Sequence, residues 1–359
     1  MDTIRVGVIG VGSIAQMAHL PHYASRSDVQ VVAFADPEVE RVSGVAEKFA
    51  RDHGGRAPAV YKTLTDLLER TPVDAVSICT PNCYHAQLAM EALEHGVHVL
   101  LEKPMTVTKE DADRLTSLAE RTARVLMVGM SHRYRDDVSA IKRFVDAGEL
   151  GEIYYAKTRI LRRRGTPAGW FTDLAVSGGG PLMDLGVHAL DLAWWLMGQP
   201  QVAEISGFLR QGIGNEPVDF VSRWQSSAAG NEENDVYTTE DFASAFLRFK
   251  NDMAMTMEVS WALHGDEDDA LKLDIFGTKG GISLSPLHFY SSAHGVLTAT
   301  NLPVAQGKLY ETEIAHFLTC VRTGQTPRSD VWQGQAVVHM LQGILQSSAT
   351  GASVKGDLV

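Results

Sequence analysis

Cysteine is scarce in this sequence, and the few cysteines present are not arranged as a redox or metal site. Cys79, Cys83 and Cys320 are the three among 359 residues, and they form neither a CxxC pair nor a zinc-ligand spacing. An odd number without a framework excludes a disulfide-stapled fold and indicates a reducing compartment. No cluster of His, Cys, Asp or Glu has metal-ligand spacing either, so no metal is expected.

Long hydrophobic runs and a surplus of positive charge are also missing. No apolar run approaches the roughly 18 residues that a membrane helix needs, and residues 1–5 lack the basic start of a signal peptide. We therefore expect a soluble cytoplasmic protein with no membrane partner. Acidic residues outnumber basic ones by 44 to 32, a formal charge of −12, which argues against nucleic acid as a partner.

The composition is that of an ordinary globular protein. Hydrophobic residues make up 45% of the chain and charged residues 21%. At roughly 150 residues per domain, this length predicts about two domains.

Strand and helix patterns alternate through the first third of the chain. Short apolar strands are predicted at residues 4–9, 29–35, 75–79, 97–101 and 125–128. Helices are predicted between strands at residues 84–94 and 109–123, the second opening with a Thr108/Asp111 capping box. This alternation is typical of a doubly wound parallel sheet. We therefore predict an α/β fold whose first domain, residues 1–128, is a Rossmann domain.

The remaining residues, 129–359, follow a different pattern. Helices are predicted at residues 134–147, 182–197, 313–322 and 332–348, and strands at 153–161, 242–249, 254–261 and 271–276. Because consecutive strands lack helices between them, an antiparallel sheet in an α+β domain is expected. Residues 212–240 lack periodicity and are predicted to be a long loop of unreadable conformation.

The first predicted strand runs into a glycine-rich turn that suits a dinucleotide. Gly10 permits a tight bend, Gly12 lets the main chain approach a pyrophosphate, and small Ala15 allows close packing of the following helix. Asp36, about 24 residues after Gly12, ends the second strand and could accept hydrogen bonds from an adenosine ribose. It would also repel a 2′-phosphate, so NAD is favoured over NADP. The alternative is a chance glycine turn and a solvated acid.

Two later strand ends carry polar residues, and ligands of open α/β sheets lie beyond the carboxyl ends of the strands. Thr80, Asn82 and His85 follow one strand, and Glu102-Lys103-Pro104 follows the next. An ionised Lys103 could orient a substrate hydroxyl and stabilise developing alkoxide character. The alternative is a surface lysine paired with Glu102.

A histidine and two carboxylates share one face of a predicted helix. Asp184, His188 and Asp191 follow the triple glycine at residues 178–180, at spacings that place them together. His188 could exchange a proton with an alcohol or ketone near neutral pH, while a carboxylate one turn away orients it. A helix-capping Asp184 and a core His188 satisfied by the backbone are the alternative.

Taken together, these motifs resemble those of the Gfo/Idh/MocA oxidoreductases, which include inositol dehydrogenases and glucose-fructose oxidoreductase. The resemblance spans nearly the whole chain, and the Glu102-Lys103-Pro104 turn combined with the Asp184-x-x-x-His188 helix is its most specific part. It also covers the following stretches: residues 10–15, Thr80-Pro81-Asn82 with His85, residues 178–180, Asp191, Trp195, residues 240–242, Ser260-Trp261 and residues 277–280.

The resemblance implies that Lys103, Asp184 and His188 form the catalytic set, with His188 as the acid-base and Asp184 orienting the substrate. It also implies an open sheet in the second domain and assembly into a homodimer or homotetramer. For the cofactor, NAD or less favourably NADP, it implies contacts from the following residues: Gly10, Gly12, Ser13, Ile14, Asp36, Thr80, Asn82, His85, Glu102 and Lys103.

Substrate contacts are predicted on less specific signals. His132 follows the last Rossmann strand, where relatives place a substrate contact, and Trp170 could stack on a sugar ring. Residues 162–171 could form a mobile substrate loop, or the three arginines a solvated strand end with Trp170 as a loop anchor. Trp194 and Trp195 are expected in the core.

The function predicted from this combination is an NAD(H)-dependent oxidoreductase. It would transfer hydride between the nicotinamide and a secondary alcohol or ketone of a sugar, cyclitol or sugar derivative. One alternative is a redox-neutral NAD-dependent glycosidase of the same family. Another is a non-catalytic nucleotide-binding regulator, against which the intact Lys103, Asp184 and His188 argue.

Overall fold

The computed structural model describes residues 3–216, 236–266, 270–305 and 307–356. Its internal contacts divide the chain into two compact units. The first unit comprises residues 1–129 and 310–335, and the second comprises residues 130–309 and 336–359. Among the helices of the described residues, none is long and apolar enough to cross a membrane.

Strands and helices alternate over the first 128 residues. The strands are Ile4–Ile9 (β1), Val29–Ala35 (β2), Ala59–Tyr61 (β3), Ala75–Ile78 (β4), His98–Leu101 (β5) and Leu126–Val128 (β6). The helices are Leu20–Ala24 (α1), which continues a π-helical turn at Ala15–His19, then Val39–His53 (α2), Leu64–Arg70 (α3), His85–Glu94 (α4) and Lys109–Thr122 (α5).

The strands of the first unit form one parallel sheet. Its order within the described residues is β3-β2-β1-β4-β5-β6. All four residues of β4 are buried, as expected for a strand covered on both faces. At the start of α5, Thr108 Oγ1 accepts a hydrogen bond from the Asp111 amide at 3.2 Å, which confirms the predicted N-cap. The predicted parallel Rossmann sheet is therefore confirmed.

The second unit contains the remaining elements up to residue 301. Its helices are Asp136–Asp146 (α6), Leu174–Ser177 (α7) and Val187–Leu196 (α8), the last continuing a π-helical turn at Leu182–Gly186. Its strands are Ile153–Leu161 (β7), Val202–Arg210 (β8), Phe242–Phe249 (β9), Ala254–Ser260 (β10), Ala270–Gly277 (β11), Gly280–Leu284 (β12), Leu287–Ala293 (β13) and Val296–Asn301 (β14).

Two helices and a short strand end the chain. They are Leu309–Thr323 (α9), Val331–Thr350 (α10) and Val354–Lys355 (β15). The contacts assign nearly all of α9 to the first unit, where the amide of Val128 donates to the Ser329 carbonyl at 2.9 Å. A stretch distant in sequence thus lies beside β6 of the Rossmann sheet.

The large sheet of the second unit is mostly antiparallel, as predicted. Its strands lie in the order β14-β13-β12-β11-β7-β10-β9-β8-β15 within the described residues. The pairing of β7 with β10 is parallel, in contrast to the antiparallel pairings around it. Alternate residues of β9 are buried, which matches the two-residue period of a sheet with one covered face.

The sequence patterns leave several elements without a prediction, among them β8, β13 and β14. The last two strands are rich in polar and small residues and contain no buried residue, with Leu297 89% exposed, so they lack the apolar alternation of a covered strand. The predicted loop at residues 212–240 falls mainly on residues 217–235, which lie outside the described residues.

Candidate active site

The turn after β1, the glycine loop of residues 10–14, allows a ligand to approach its backbone closely. Gly10 has a φ of +77°, and an added Cβ would lie 2.8 Å from the Cys79 carbonyl oxygen, so a side chain would fit neither the conformation nor the space. At Gly12, by contrast, no heavy atom of the described residues, apart from the glycine and its chain neighbours, lies within 4 Å of an added Cβ. The loop is partly exposed, and it leaves at Gly12 the room that a pyrophosphate needs beside the backbone.

Asp36 follows β2 and is tied directly to this loop. Its Oδ2 accepts hydrogen bonds from the Val11 amide at 2.8 Å and from Arg41 at 3.0 Å, while Oδ1 accepts from the Glu38 amide at 2.9 Å. A carboxylate offers about four acceptor positions, so Oδ1 retains capacity for a ribose hydroxyl. The carboxylate therefore lies at the end of the second strand, as the sequence predicts, and its hydrogen bond with the Val11 amide of the glycine loop orients it.

The residues present thus fit a nicotinamide dinucleotide. The open space at Gly12 suits the pyrophosphate, and the Asp36 carboxylate suits the adenosine ribose. Ser13 and Ile14 are also partly exposed in the glycine loop, as cofactor contacts would have to be.

The two predicted cofactor turns after β4 and β5 are joined by a buried histidine. His85 is fully buried, with Nδ1 2.7 Å from the Pro104 carbonyl oxygen and Nε2 2.9 Å from the Thr80 carbonyl oxygen. Burial lowers the pKa of His85, although both carbonyls favour its protonated form. Both ring nitrogens face backbone carbonyl groups, so His85 links the two turns through its side chain. Asn82 lies buried in the first of them.

Lys103 stands out among its neighbours by exposure. Within residues 101–106 it alone is partly exposed, whereas the other five are buried. The peptide bond between Lys103 and Pro104 is cis. Glu102 is buried and its carboxylate lies 2.9 Å from His19 Nε2, so this acid is not held by a surface pair with Lys103, the alternative that the sequence offered.

Asp184 and His188 are likewise the partly exposed members of a buried stretch. Within residues 181–194 they alone are not buried. Asp184 Oδ2 accepts a hydrogen bond from Trp261 Nε1 at 3.0 Å and lies 4.0 Å from the Arg162 guanidinium. The helix thus presents an oriented carboxylate and an imidazole one turn apart, rather than two core residues.

The start of this helix is capped by a distant acid. Glu240 accepts hydrogen bonds from the amides of Gly180 at 2.8 Å and Leu182 at 3.0 Å. An added Cβ at Gly180 would overlap the backbone carbonyl oxygen of Glu240, which explains the glycine there. Burial raises the pKa of Glu240, while the two amides lower it, so the helix start is held by a carboxyl group deep in the unit.

Asp191 contacts a residue that the motif does not contain. Its carboxylate accepts two hydrogen bonds from Arg133, at 2.8 and 2.5 Å, and both side chains are buried. Arg133 also lies over the Trp195 ring at 5.3 Å. The preceding residue, His132, has its ring centroid 4.6 Å from that of His188, so the predicted substrate contact and the predicted acid-base are neighbours within this unit.

Trp170 lies against the ring of the next residue. The Trp170 and Phe171 rings are stacked at 4.0 Å between centroids, and both are partly exposed. Near them, Arg162 is buried and donates to the Gly165 carbonyl at 3.3 Å, so it is not part of a solvated strand end. Trp194 is buried, as expected, and its Nε1 donates to the Pro200 carbonyl at 3.0 Å.

Three residues with a part in this arrangement were not assigned a role from the sequence: Trp261, Arg133 and His19. Trp261 is fully buried and donates to Asp184, and Arg133 is the most unusual of the three because it is a fully buried cation. Their partners lie about 60 to 80 residues away in sequence. Spacing within one element cannot reveal such pairs.

Among the described residues, no group of His, Cys, Asp and Glu is placed to hold a metal.

Comparisons with known proteins agree with this arrangement. Residues 4–130 match the model described as oxidoreductase family, NAD-binding Rossmann fold, and residues 138–283 match the GFO/IDH/MocA C-terminal domain. The chain is 31% identical to the D-glucoside 3-dehydrogenase of Escherichia coli K12 over 355 residues, which are 98% of this chain and 97% of that protein.

A second curated relative and a solved structure extend the likeness. The scyllo-inositol 2-dehydrogenase (NAD(+)) of Bacillus subtilis is 28% identical, covering 90% of this chain and 88% of its own. The NADH complex of levoglucosan dehydrogenase has the same fold, with a TM-score of 0.83 at 20% identity over 99% of both chains.

These findings confirm the predicted class, an NAD-binding oxidoreductase whose relatives are sugar and cyclitol dehydrogenases. The resemblance inferred from the motifs is confirmed as well. With both of its domain models matched along most of its length, the chain belongs to the Gfo/Idh/MocA family of oxidoreductases.

Proposed function

We propose that the protein oxidises the C3 hydroxyl of a D-glucoside to a ketone with NAD, and that Lys103, Asp184 and His188 carry the chemistry. The observation that carries the proposal is the exposure of Asp184 and His188 alone within an otherwise buried stretch, at residues 181–194. The D-glucoside 3-dehydrogenase, 31% identical over 98% of this chain, supports the choice of substrate.

Each side chain has a distinct part in the proposed reaction. NAD supplies the hydride acceptor when it is bound. His188 takes the hydroxyl proton as general base, since an imidazole exchanges protons near neutral pH. Lys103 donates a hydrogen bond to the same oxygen and stabilises the negative charge that develops on it. Asp184, oriented by Trp261, accepts a hydrogen bond from a neighbouring substrate hydroxyl.

The test is the formation of NADH, followed at 340 nm, by the purified protein with NAD or NADP. The panel contains methyl and aryl D-glucosides, their 3-deoxy analogues, free glucose, scyllo-inositol and anhydrosugars. We expect reduction of NAD with D-glucosides and none with the 3-deoxy analogues. Reduction of NAD with scyllo-inositol alone would show that the substrate is a cyclitol rather than a D-glucoside. Release of the aglycone without net NADH would identify a redox-neutral glycosidase.

We further propose that Asp36 makes the protein prefer NAD to NADP, and that Arg41 limits the preference. A 2′-phosphate would face the Asp36 carboxylate, whereas the Arg41 guanidinium beside it, 46% exposed, is a phosphate ligand held by that same acid. Asp36→Ser should tighten the binding of 2′,5′-ADP relative to 5′-AMP by at least tenfold in calorimetry. Asp36→Ser/Arg41→Ala should lose that gain, and an equal gain in both variants would contradict the role given to Arg41.

We also propose that the protein forms a homodimer or homotetramer through its large sheet. The alternate residues of β7–β11 that do not face the core include Phe208, which is 58% exposed, and Phe246. Tyr155 and Phe276 stack at 5.8 Å and belong to this partly exposed set. Sedimentation equilibrium of wild type and Phe208→Asp tests the proposal, since a monomer in both would contradict it.

A further inference from the structure

A buried ion pair lies beneath Glu102-Lys103-Pro104, the Lys103 turn. His19 Nε2 is 2.9 Å from Glu102 Oε1, and the two side chains are 2% and 11% exposed. His19 belongs to none of the motifs from which the family was inferred. We infer that His19 is a positioning residue that holds Lys103 in place through the Glu102 carboxylate. The inference rests on the proposed function, in which Lys103 is catalytic.

The Glu102 carboxylate connects the histidine to the lysine by direct contacts. One oxygen, Oε1, faces His19, and the other, Oε2, accepts a hydrogen bond from the Lys103 amide at 3.3 Å. The Glu102 amide itself donates to the Ile78 carbonyl at 3.0 Å, which keeps this residue in line with the sheet. A rotation of the carboxylate away from His19 therefore also moves Oε2 away from the Lys103 amide.

A glycine makes room for this carboxylate. An added Cβ at Gly129 would lie 3.3 Å from Glu102 Oε1, which is closer than an ordinary van der Waals contact. The Gly129 amide donates to the Leu101 carbonyl at 2.7 Å, so the backbone there cannot move aside freely. The space between His19 and Gly129 thus fits a carboxylate in one position.

His19 is fixed on its other side by the sheet. Its Nδ1 lies 3.2 Å from Ser77 Oγ, and that hydroxyl lies 2.6 Å from Tyr23 OH. His19 and Tyr23 are four residues apart on the helical stretch that follows the glycine loop, so they lie on one helix face. The segment that begins at the predicted pyrophosphate site therefore also supports the predicted catalytic lysine.

The charges of the groups around His19 favour an ion pair. Burial lowers the pKa of His19, but Cys79 and Glu102 raise it, and the net direction is upward. The pKa of Glu102 is lowered overall by His19 despite burial, whereas burial raises the pKa of both Cys79 and Glu313. The 2.9 Å contact between His19 and Glu102 thus joins a base and an acid whose pKa values both move toward the charged forms. Charge-assisted hydrogen bonds of this kind hold geometry more strongly than neutral ones.

The position of the turn matters because Lys103 is its one partly exposed side chain within residues 101–106. On the carboxyl side, the Pro104 carbonyl is held by His85 at 2.7 Å. On the amino side, the Lys103 amide is held by Glu102 and, through it, by His19. A displacement of about 1 Å can cost on the order of 100-fold in rate. Loss of the amino-side support should therefore lower turnover without removing any group that reacts.

The decisive experiment combines His19→Gln with Lys103→Ala. In the otherwise wild-type protein, we expect His19→Gln to lower kcat at least tenfold, with the Kd for NAD, measured by quenching of protein fluorescence, within about threefold. In the Lys103→Ala background, His19→Gln should change single-turnover rates less than twofold, because the group that it positions is gone.

Tyr23→Phe is the matched control. It removes a hydroxyl from the same buried network and the same helix face but leaves the pair with Glu102 intact. We expect its kcat to stay within twofold of wild type. A tenfold loss in Tyr23→Phe would mean that general loosening of this helix suffices, which would overturn the inference.

Other outcomes separate the inference from the proposed function. If Lys103→Ala keeps near-normal turnover, the proposed function fails, whatever His19→Gln does. If Lys103→Ala is inactive while His19→Gln stays within twofold, or if His19→Gln has its full effect in the Lys103→Ala background, the inference alone fails. Should His19→Gln not fold, Glu102→Gln, which keeps the side-chain size and removes the charge, is taken through the same pair of backgrounds with the same expectations.

Discussion

Each unit of the protein supports a candidate catalytic element with one buried ion pair, and the two pairs use different bases. In the first unit, His19 and Glu102 lie beneath the Lys103 turn. In the second, Arg133 and Asp191 join the segment of His132 to the helix of His188, with side chains 0% and 2% exposed. Arg133 makes two parallel hydrogen bonds, whereas His19 makes one to its acid.

The difference determines how each support responds to pH. Arginine side chains in general carry their charge throughout the physiological pH range, whereas a histidine can gain or lose its proton near that range. The pKa of His19 is raised, so its contribution to stability is complete below about pH 6.5 and is lost as the pH rises through the folded-state pKa. The pKa of Glu102 is lowered, so its contribution is complete above about pH 4.3 and is lost as the pH falls through its folded-state pKa. A buried pair is therefore a fixed or a titratable support according to its base.

The largest effects are expected for substitutions of the proposed reacting groups. Lys103→Ala and His188→Ala should each lower turnover by about 10² to 10⁴, while the Kd for NAD stays nearly unchanged. The first removes the proposed stabilisation of negative charge on the substrate oxygen, and the second removes the proposed general base. Steady-state kinetics and fluorescence titration measure the two quantities. Lys109→Ala, an exposed lysine at the start of α5, is the control and should keep full turnover. Near-normal turnover in either variant would contradict the catalytic role proposed for that residue, and the buried pair near it would then have no link to catalysis.

The next effect concerns the fixed pair. Arg133→Met should lower the free energy of unfolding by about 3–5 kcal/mol, because it leaves the Asp191 carboxylate buried and unpaired, and the double variant with Asp191→Leu should recover much of the loss. Urea unfolding at pH 7 measures both.

A matched pair on the surface gives the control for that experiment. Arg5 and Asp74 have the same two-bond geometry, at 3.0 and 2.7 Å, but are 42% and 36% exposed. Arg5→Met should therefore cost less than about 1 kcal/mol. Equal costs at the two sites would show that burial is not what makes the Arg133 pair important.

The smallest expected effect concerns Glu313, a buried acid in the same unit as the His19–Glu102 pair. Glu313 is 1% exposed, Oε1 has no hydrogen-bond partner among the described residues, and burial raises its pKa well above the usual range. An acid with a raised folded-state pKa costs stability as the pH rises above its unfolded-state value. The stability of Glu313→Gln relative to wild type should therefore increase, by on the order of 1 kcal/mol, when the pH is raised from 5 to 8.

Thermal unfolding at the two pH values measures this gain. Glu311→Gln, an exposed position on the same helix, should show no such pH-dependent difference. A flat difference for Glu313→Gln as well would mean that this acid already titrates as if it were exposed.

Much of the fold could be read from local patterns. The glycine loop, the acid at the end of β2 and the alternation of strands and helices depend on residues close in sequence, and the predicted β1, β2, β7 and β9 agree with the structure at both ends. Elements without a buried face of their own, such as β13 and β14, left no comparable signal.

The sequence by itself determined the class of protein and the candidate reacting groups, because a dinucleotide turn and an Asp-x-x-x-His helix are local chemical patterns. Only the tertiary structure decided what holds the carboxylates of these motifs: His19 for Glu102, Trp261 for Asp184 and Arg133 for Asp191. A buried charge must find its partner wherever the fold brings one, here about 60 to 80 residues away, and no spacing along the chain encodes that distance.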